Sequence, residues 1–340
     1  MAFEIIGTGR AAPPRRVTND ELAKEKGIDT SDEWIRSHTG IGSRHIADEN
    51  TASSDLAMEA AKNALAMAEP GKPLEEAALT LDMIVVATAT PDYFGSPATA
   101  CIVQDKLGAK KAGAMDVTAG CTGFIYALET ASGLLSLNHR KRTLVVGSDI
   151  LTKFTNWADR GSCVLFGDGA GAVVLESTSA PYTGNGRRGV IATILRADGS
   201  GVEHLFFKGG GSRFPFKAGE TLENPIYIEL NGQAVYNFAV KAMTDTIKDI
   251  LAREGFTIDD VFLIIPHQAN ARIVQAAAKR LKIPEGKCFL NIEEYANTSA
   301  ASIPIALDEL NRGGKLSRGD LLLTVGFGAG LTYGANLIVW

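Results

Sequence analysis

Two stretches of this chain repeat the same order of elements at the same spacing. Met83-Ile-Val-Val-Ala87 is an uninterrupted apolar run of strand length, and 61 residues after Val85 comes Val146, inside a second such run, Thr143-Leu-Val-Val-Gly147. In the other half, Phe262-Leu-Ile-Ile265 is followed, 61 residues after Ile264, by Val325 in Leu321-Leu-Leu-Thr-Val-Gly326. Each pair is offset by 179 residues. Between the members of each pair the pattern predicts a strand, a turn and a helix: Ala114-Met-Asp-Val117 ahead of Cys121, and Phe289-Leu-Asn-Ile292 ahead of Asn297. The helix after Cys121 carries Phe124, Ile125, Leu128 and Leu135 at helical spacing. Its counterpart carries Ile303, Leu307 and Leu310, with Pro304 acceptable only in a first turn. Apolar strands alternating with helices predict an α/β fold whose parallel sheet is covered on both faces. Matched order, type and spacing predict a duplication, with halves 1–178 and 179–340. The seam falls in the turn-rich residues 176–188.

A chain of 340 residues buries enough surface to fold without a metal or disulfide staple. Its four cysteines, Cys101, Cys121, Cys163 and Cys288, lie far apart with no CxxC pair, which excludes a disulfide framework and a structural zinc site. A net charge of −5 gives no global pull toward nucleic acid, so an anionic partner needs a local basic patch. The start, Met1-Ala-Phe-Glu-Ile-Ile, lacks the features of a signal peptide, and no run has the length of a membrane span. A cytoplasmic protein is expected.

Cys121 follows a strand through Thr118-Ala-Gly120 and opens a helix, where the dipole and free N–H groups favour thiolate. Small neighbours (Ala119, Gly120, Gly123) permit a tight turn and close approach of a carbonyl. The alternative is a buried structural cysteine, the reading given to Cys101, Cys163 and Cys288. His267, in Pro266-His-Gln-Ala-Asn270, ends the strand Phe262–Ile265, and ligands of open α/β sheets gather beyond such strand ends. The remaining histidines, His38, His45, His139 and His204, read as surface or locally bonded groups. Asn297 lies in the second half's counterpart of the cysteine turn, either as a helix cap or as a site group. The glycine-dense Val325–Gly334 is no dinucleotide fingerprint, because strand, not helix, follows it at Asn336–Val339.

These residues resemble a known family. Asp116-Val-Thr-Ala-Gly-Cys-Thr-Gly-Phe124, Pro266-His-Gln-Ala-Asn270, Asn297-Thr-Ser-Ala-Ala-Ser-Ile-Pro304 and Gly326-Phe-Gly-Ala-Gly330 resemble the β-ketoacyl-acyl-carrier-protein synthase III family of thiolase-fold condensing enzymes. Thr30-Ser-Asp-Glu-Trp-Ile35, Thr39-Gly-Ile-Gly-Ser-Arg44, Asp159-Arg-Gly161 and Phe166-Gly-Asp-Gly-Ala-Gly171 match as well. The resemblance implies a thiolase-like, five-layered α-β-α-β-α fold, a homodimer, and decarboxylative condensation of an acyl-CoA primer with malonyl-acyl carrier protein, initiating fatty acid biosynthesis. Cys121 would carry the acyl group, and His267 and Asn297 would stabilise the enolate. The backbone N–H groups of Cys121 and Ala329 would form the oxyanion hole. No metal or redox cofactor is required, since decarboxylation itself generates the nucleophile.

The resemblance further sets Trp34 and Arg160 on either side of the CoA adenine and Asn270 beside the pantetheine. His38 stands where the family often has Arg. A carrier protein would dock on the helix beginning near Asn270. Its predicted buried stripe is Val274, Ala277, Ala278 and Leu281, leaving Arg272, Lys279 and Arg280 outward, whereas Asn237 occupies a position often basic. Ser96 and Phe327 would border the acyl pocket, Ser96 leaving open a space that a ring often fills. Three alternatives use the same parts differently: a specialised homologue transferring or condensing acyl groups in secondary metabolism, a cysteine hydrolase, and a non-catalytic scaffold.

Overall fold

The computed structural model describes residues 2–137, 140–178, 188–216 and 226–340. The expected seam, the 178/179 boundary and His139 therefore fall at or outside the limits of the described residues. Nine strands form one mixed sheet: β1 (Ala2–Ala11), β2 (Met83–Ala87), β3 (Gly113–Val117), β4 (Arg142–Ile150), β5 (Asp168–Thr178), β6 (Gly189–Ala197), β7 (Leu263–Pro266), β8 (Leu321–Gly328) and β9 (Thr332–Val339). Their order is β7-β8-β9-β6-β1-β5-β4-β2-β3. A single parallel pairing, Phe3 with Gly189, joins the two half-sheets at the centre. Gly189 is required there, because a Cβ would lie 1.8 Å from Phe3 O.

The layers follow from which faces are apolar. Helices α1 (Asp32–Thr39), α2 (Ser53–Ala68), α3 (Thr99–Leu107), α4 (Gly123–Ser136), α5 (Gly232–Glu254), α6 (Ala271–Leu281) and α7 (Ser302–Arg312) carry the argument. Phe124, Ile125 and Leu128 of α4 and Ile303, Leu307 and Leu310 of α7 share one core with strands of both half-sheets. Helices α2 and α3 cover the outer face of the first half-sheet, and α5 and α6 that of the second. The result is helix–sheet–helix–sheet–helix, the thiolase-like architecture. Among the described residues no helix is long and apolar enough to cross a membrane.

The repeat is exact at several element starts. The 3₁₀ turns Gly120–Thr122 and Ser299–Ala301, helices α4 and α7, and strands β4 and β8 begin 179 residues apart. Three expectations need correction. The sheet is mixed: only β3-β2-β4 and β7-β8 are parallel ladders, because β5 and β9 return antiparallel beside them. Phe262 is exposed and β7 starts at Leu263. Phe289–Ile292 forms no strand beyond an isolated bridge of Ile264 with Cys288. The Gln268 carboxamide bonds Pro266 O, Phe289 O and Asn291 N, so a side chain takes the groups a ladder would use.

Candidate active site

The turn that holds Cys121 is shaped by glycine. Gly120 adopts φ +52°, which turns the chain from β3 into the 3₁₀ turn holding Cys121 at the start of α4. A Cβ on Gly328 would lie 2.5 Å from Cys121 N, so only glycine lets the β8–β9 connection lie against this turn. Thr332 fastens the two, its hydroxyl 2.8 Å from Ala119 O and 3.0 Å from Ala329 O. Cys121 borders the cavity, yet burial pushes its thiol up to about 12, with the Asp149 charge adding to the rise. The thiolate expected from the helix terminus is thus not the resting form. Desolvation is the largest influence on the thiol, and the Ser299 hydroxyl offsets only part of the rise.

From the other half come His267 and Asn297. His267 follows β7, its N–H bonded to Val325 O at 2.8 Å. Its ring packs edge-on to Phe327, with centroids 5.5 Å apart. Burial pulls the imidazole down to about 3, so it is neutral throughout the physiological range. Nδ1 lies 2.8 Å from Ser302 Oγ, which also accepts from Gln268 N at 3.4 Å. We assign the Ser302 hydroxyl as donor to Nδ1, which puts the imidazole proton on Nε2, an atom without a partner among the described residues. Asn297 is buried, and its backbone bridges Leu165 O and Gly167 N. Its Oδ1 accepts from Ser299 N at 2.9 Å, which leaves the amide NH₂ for a ligand. It caps its own turn rather than α7.

Cys121, His267, Asn297, Phe327 and Ala329 all line one cavity of about 660 Å³. Two half-domains thus present a thiol and two neutral hydrogen-bond donors to the same space, an arrangement suited to acyl transfer and to holding a developing oxyanion.

Trp34 and Asn270 line the same cavity. Arg160 stacks directly on Trp34, its Cζ 4.6 Å from the ring centroid, whereas a ring held between them needs roughly 7 Å. The expected slot is therefore closed in this structure. His38 is exposed and locally bonded, as expected, its Nδ1 2.8 Å from Trp34 O; it also stacks on Trp34 with centroids 4.3 Å apart and lines the cavity. Asn270 caps α6 through Arg272 N and donates to His38 O at 3.1 Å. Arg272, Lys279 and Arg280 are exposed on α6, and Arg272 reaches the cavity. The buried stripe of α6 is centred on Ile273, Val274 and Ala277, because α5 packs on that side, and Ala278 and Leu281 are only half-buried.

Ser96 is exposed and does not line the cavity of its own chain. Phe94 packs edge-on to Phe154, and Phe154 on the cavity-lining Phe207. Cys101 is exposed on α3, against the structural reading, while Cys163 is buried and Cys288 half-buried. Sequence reasoning missed Ser299, Ser302 and Asp149, and the wall formed by Leu205–Phe207, Ile228 and the start of α5. The one legible signal was an aspartate inside the apolar run of β4.

Residues 115–199 match the family described as 3-oxoacyl-[acyl-carrier-protein] synthase III, and residues 251–340 match its C-terminal part. The beta-ketoacyl-[acyl-carrier-protein] synthase III of Caldanaerobacter subterraneus is 48% identical, over 100% of this chain and 98% of that protein. The crystal structure of 3-oxoacyl-[acyl-carrier-protein] synthase III from Aquifex aeolicus superposes with a TM-score of 0.87 at 42% identity, covering 100% of both chains. The priming β-ketosynthase of the R1128 polyketide pathway superposes with a TM-score of 0.88 at 31% identity, over 99% of this chain and 96% of that one. A cysteine at a helix start facing a neutral histidine and an asparagine is the chemistry such enzymes need, and the chain belongs to the β-ketoacyl-acyl-carrier-protein synthase III family of condensing acyltransferases.

Proposed function

We propose that this chain condenses an acyl-CoA primer with malonyl-acyl carrier protein, releasing carbon dioxide and giving the β-ketoacyl-carrier protein that starts fatty acid biosynthesis. The observation that carries the reading is a neutral, buried imidazole with an unpartnered Nε2 lining the same cavity as Cys121. An imidazole held so far below neutrality is a poor base and a good fixed donor.

In the first half-reaction the Cys121 sulfur bonds the thioester carbonyl carbon, the carbon–sulfur bond to CoA breaks, and the thiol proton ends on CoA sulfur. The N–H groups of Cys121 and Ala329, brought together by Gly120 and Gly328, support the tetrahedral oxyanion. In the second, the malonyl carbon–carbon bond breaks and carbon dioxide leaves. The electron pair forms an enolate whose oxygen accepts from His267 Nε2–H and the Asn297 amide. The enolate carbon attacks the acyl-cysteine and expels the thiolate, which takes up one proton. Mass spectrometry tests this: acyl mass gained on the protein after acyl-CoA, then lost after malonyl-carrier protein with a β-ketoacyl product. Acyl mass that leaves only as free acid would instead mark a hydrolase.

The finer assignments belong to the same reading. Trp34 and Arg160 part to take the adenine, with Asn270 beside the pantetheine. Arg272, Lys279 and Arg280 receive an acidic carrier helix, and charge reversal of Arg272 and Lys279 raises KM for malonyl-carrier protein while leaving that for acyl-CoA unchanged. An unchanged carrier KM would refute that patch. The halves 1–178 and 179–340 descend from one duplicated unit, and two chains assemble as a cytoplasmic homodimer, to be checked by light scattering. In that dimer Ser96 of one chain ends the acyl tunnel whose wall includes Phe327 of the other. Ser96→Phe then moves the kcat/KM optimum from longer primers to acetyl-CoA, and a wild type already preferring acetyl-CoA overturns the open tunnel. A second reading, priming in secondary metabolism, draws support from the likeness to the R1128 priming ketosynthase. The same primer series separates the two.

A further inference from the structure

Asp149, the penultimate residue of β4, is fully buried, and among the described residues no cation pairs with it. Its two oxygens serve different halves of the molecule. Oδ1 accepts from Ala89 N at 2.7 Å, from Thr90 Oγ1 at 3.0 Å, and from Thr90 N and Thr88 Oγ1 at 3.1 Å, all in the loop after β2. Oδ2 accepts from Ala300 N at 3.1 Å, in the turn that follows Asn297. Burial raises the Asp149 carboxyl above the usual carboxylate range, and the donors oppose that rise: every partner is a donor, which favours the ionised form. The second-half turn also presses on β4 itself, since a Cβ on Gly147 would lie 2.2 Å from Ala300 O.

Between Asp149 and Cys121 sits Ser299. It is buried, holds φ +51° without being glycine, and its hydroxyl makes no hydrogen bond of ordinary geometry. The hydroxyl nevertheless lies close enough to the thiol and to the carboxylate to favour the charged form of each. The titratable groups at this point are Cys121, Asp149 and His267, the last neutral and lining the same cavity.

We propose that Asp149 is a positioning residue that registers the Asn297 turn of the second half against the loop after β2 of the first. Its charge has a second effect, on Cys121, whose thiol it makes harder to ionise. The two roles pull in opposite directions, and that makes them separable. In Asp149→Asn the amide oxygen keeps the Oδ1 donors, while the NH₂ faces the Ala300 N–H, donor against donor. The loss therefore falls on the Asn297 turn, and the charge beside Cys121 disappears.

The inference uses the half-reactions of the proposed function for one readout and plain thiol chemistry for another. Three quantities are compared in wild type and Asp149→Asn: acyl-CoA labelling of Cys121, malonyl decarboxylation by the unacylated protein, and the pH of half-maximal alkylation of Cys121 by iodoacetamide. Decarboxylation should fall about 10-fold or more. Labelling should stay within about threefold, and the alkylation midpoint should move down by about one pH unit. Both half-reactions falling together with an unmoved midpoint would show a merely structural aspartate and overturn the proposal. Should Asp149→Asn not fold, Asp149→Glu serves instead: it keeps the charge but displaces the oxygens. Decarboxylation should then still fall while the alkylation midpoint stays put, and unchanged decarboxylation overturns the proposal. If wild type is neither labelled nor decarboxylating, the functional reading fails, and the alkylation comparison alone judges Asp149.

Discussion

At the same place in each half the chain makes the same turn out of different residues. Gly120 stands at φ +52° and Ser299, 179 residues later, at φ +51°. The following positions are Cys121 and Ala300, and Thr88 after β2 corresponds to His267 after β7. One half sets a thiol in this shared geometry and the other sets neutral hydrogen-bonding groups beside it. The left-handed backbone costs a non-glycine residue roughly 1–2 kcal/mol, so a serine retained there implies a use for its hydroxyl. Duplication supplied two equivalent strand-end turns, and burial then drove their groups apart electrically: the thiol up to about 12, the imidazole down to about 3.

The division of labour is broken most completely at Cys121. Cys121→Ala should abolish acyl labelling, whereas Cys101→Ala, Cys163→Ala and Cys288→Ala should retain it; peptide mass mapping after acyl-CoA reads the result. Next, His267→Ala and Asn297→Ala should each slow malonyl decarboxylation by roughly 10²–10³-fold while sparing acylation, by analogy with deleted oxyanion donors. Equal losses in both half-reactions would erase the contrast between the halves.

A stability measurement sharpens the contrast without any substrate. The His267 imidazole titrates at about 3 folded against 6.5 unfolded. The unfolded chain binds the proton more readily, so this contribution is full above 6.5 and is lost as pH falls toward 3. Across that window it amounts to roughly 3–5 kcal/mol. Chemical denaturation of wild type and His267→Gln should therefore converge as the medium is acidified, the variant showing the flatter pH dependence. Smallest is the reciprocal swap of the two left-handed positions. Ser299→Gly relieves strain and should leave stability within about 1 kcal/mol of wild type. Gly120→Ala adds strain and sets a Cβ 2.8 Å from Ala329 N, so its melting temperature should drop by several degrees. Symmetric effects would mean that the two turns are not equivalent backbones.

Much of the frame was legible because it is written locally. Strand β2 matches its apolar run residue for residue, and Pro304 sits in the first turn of α7, as its missing N–H requires. Cys121, His267 and Asn297 were legible because strand ends and glycine turns announce where groups can meet. What escaped depends on contacts distant in sequence. The Phe289 segment has strand composition, yet the Gln268 amide satisfies its edge. The thiol's acidity is set first by burial and then by groups such as Ser299 and Asp149, whose nearness to Cys121 no local pattern shows, although an aspartate in the apolar run of β4 stands out. The α6 stripe shifted because α5, not the helix's own periodicity, decides which side is covered.

The stacked pair Trp34–Arg160 has a consequence for kinetics. If the adenine is taken there as proposed, a planar ligand entering between them would have to displace an arginine tethered within reach of the same ring face, an internal competitor present at high effective concentration. Any measured Kd is then weaker than that of an open slot by the fraction of time the pair is parted. Once seated, such a ligand would regain the guanidinium on its free face, so the residue that delays arrival would also delay departure. Arg160→Ala should quicken both, leaving affinity a poor report of what the arginine does and residence time a good one.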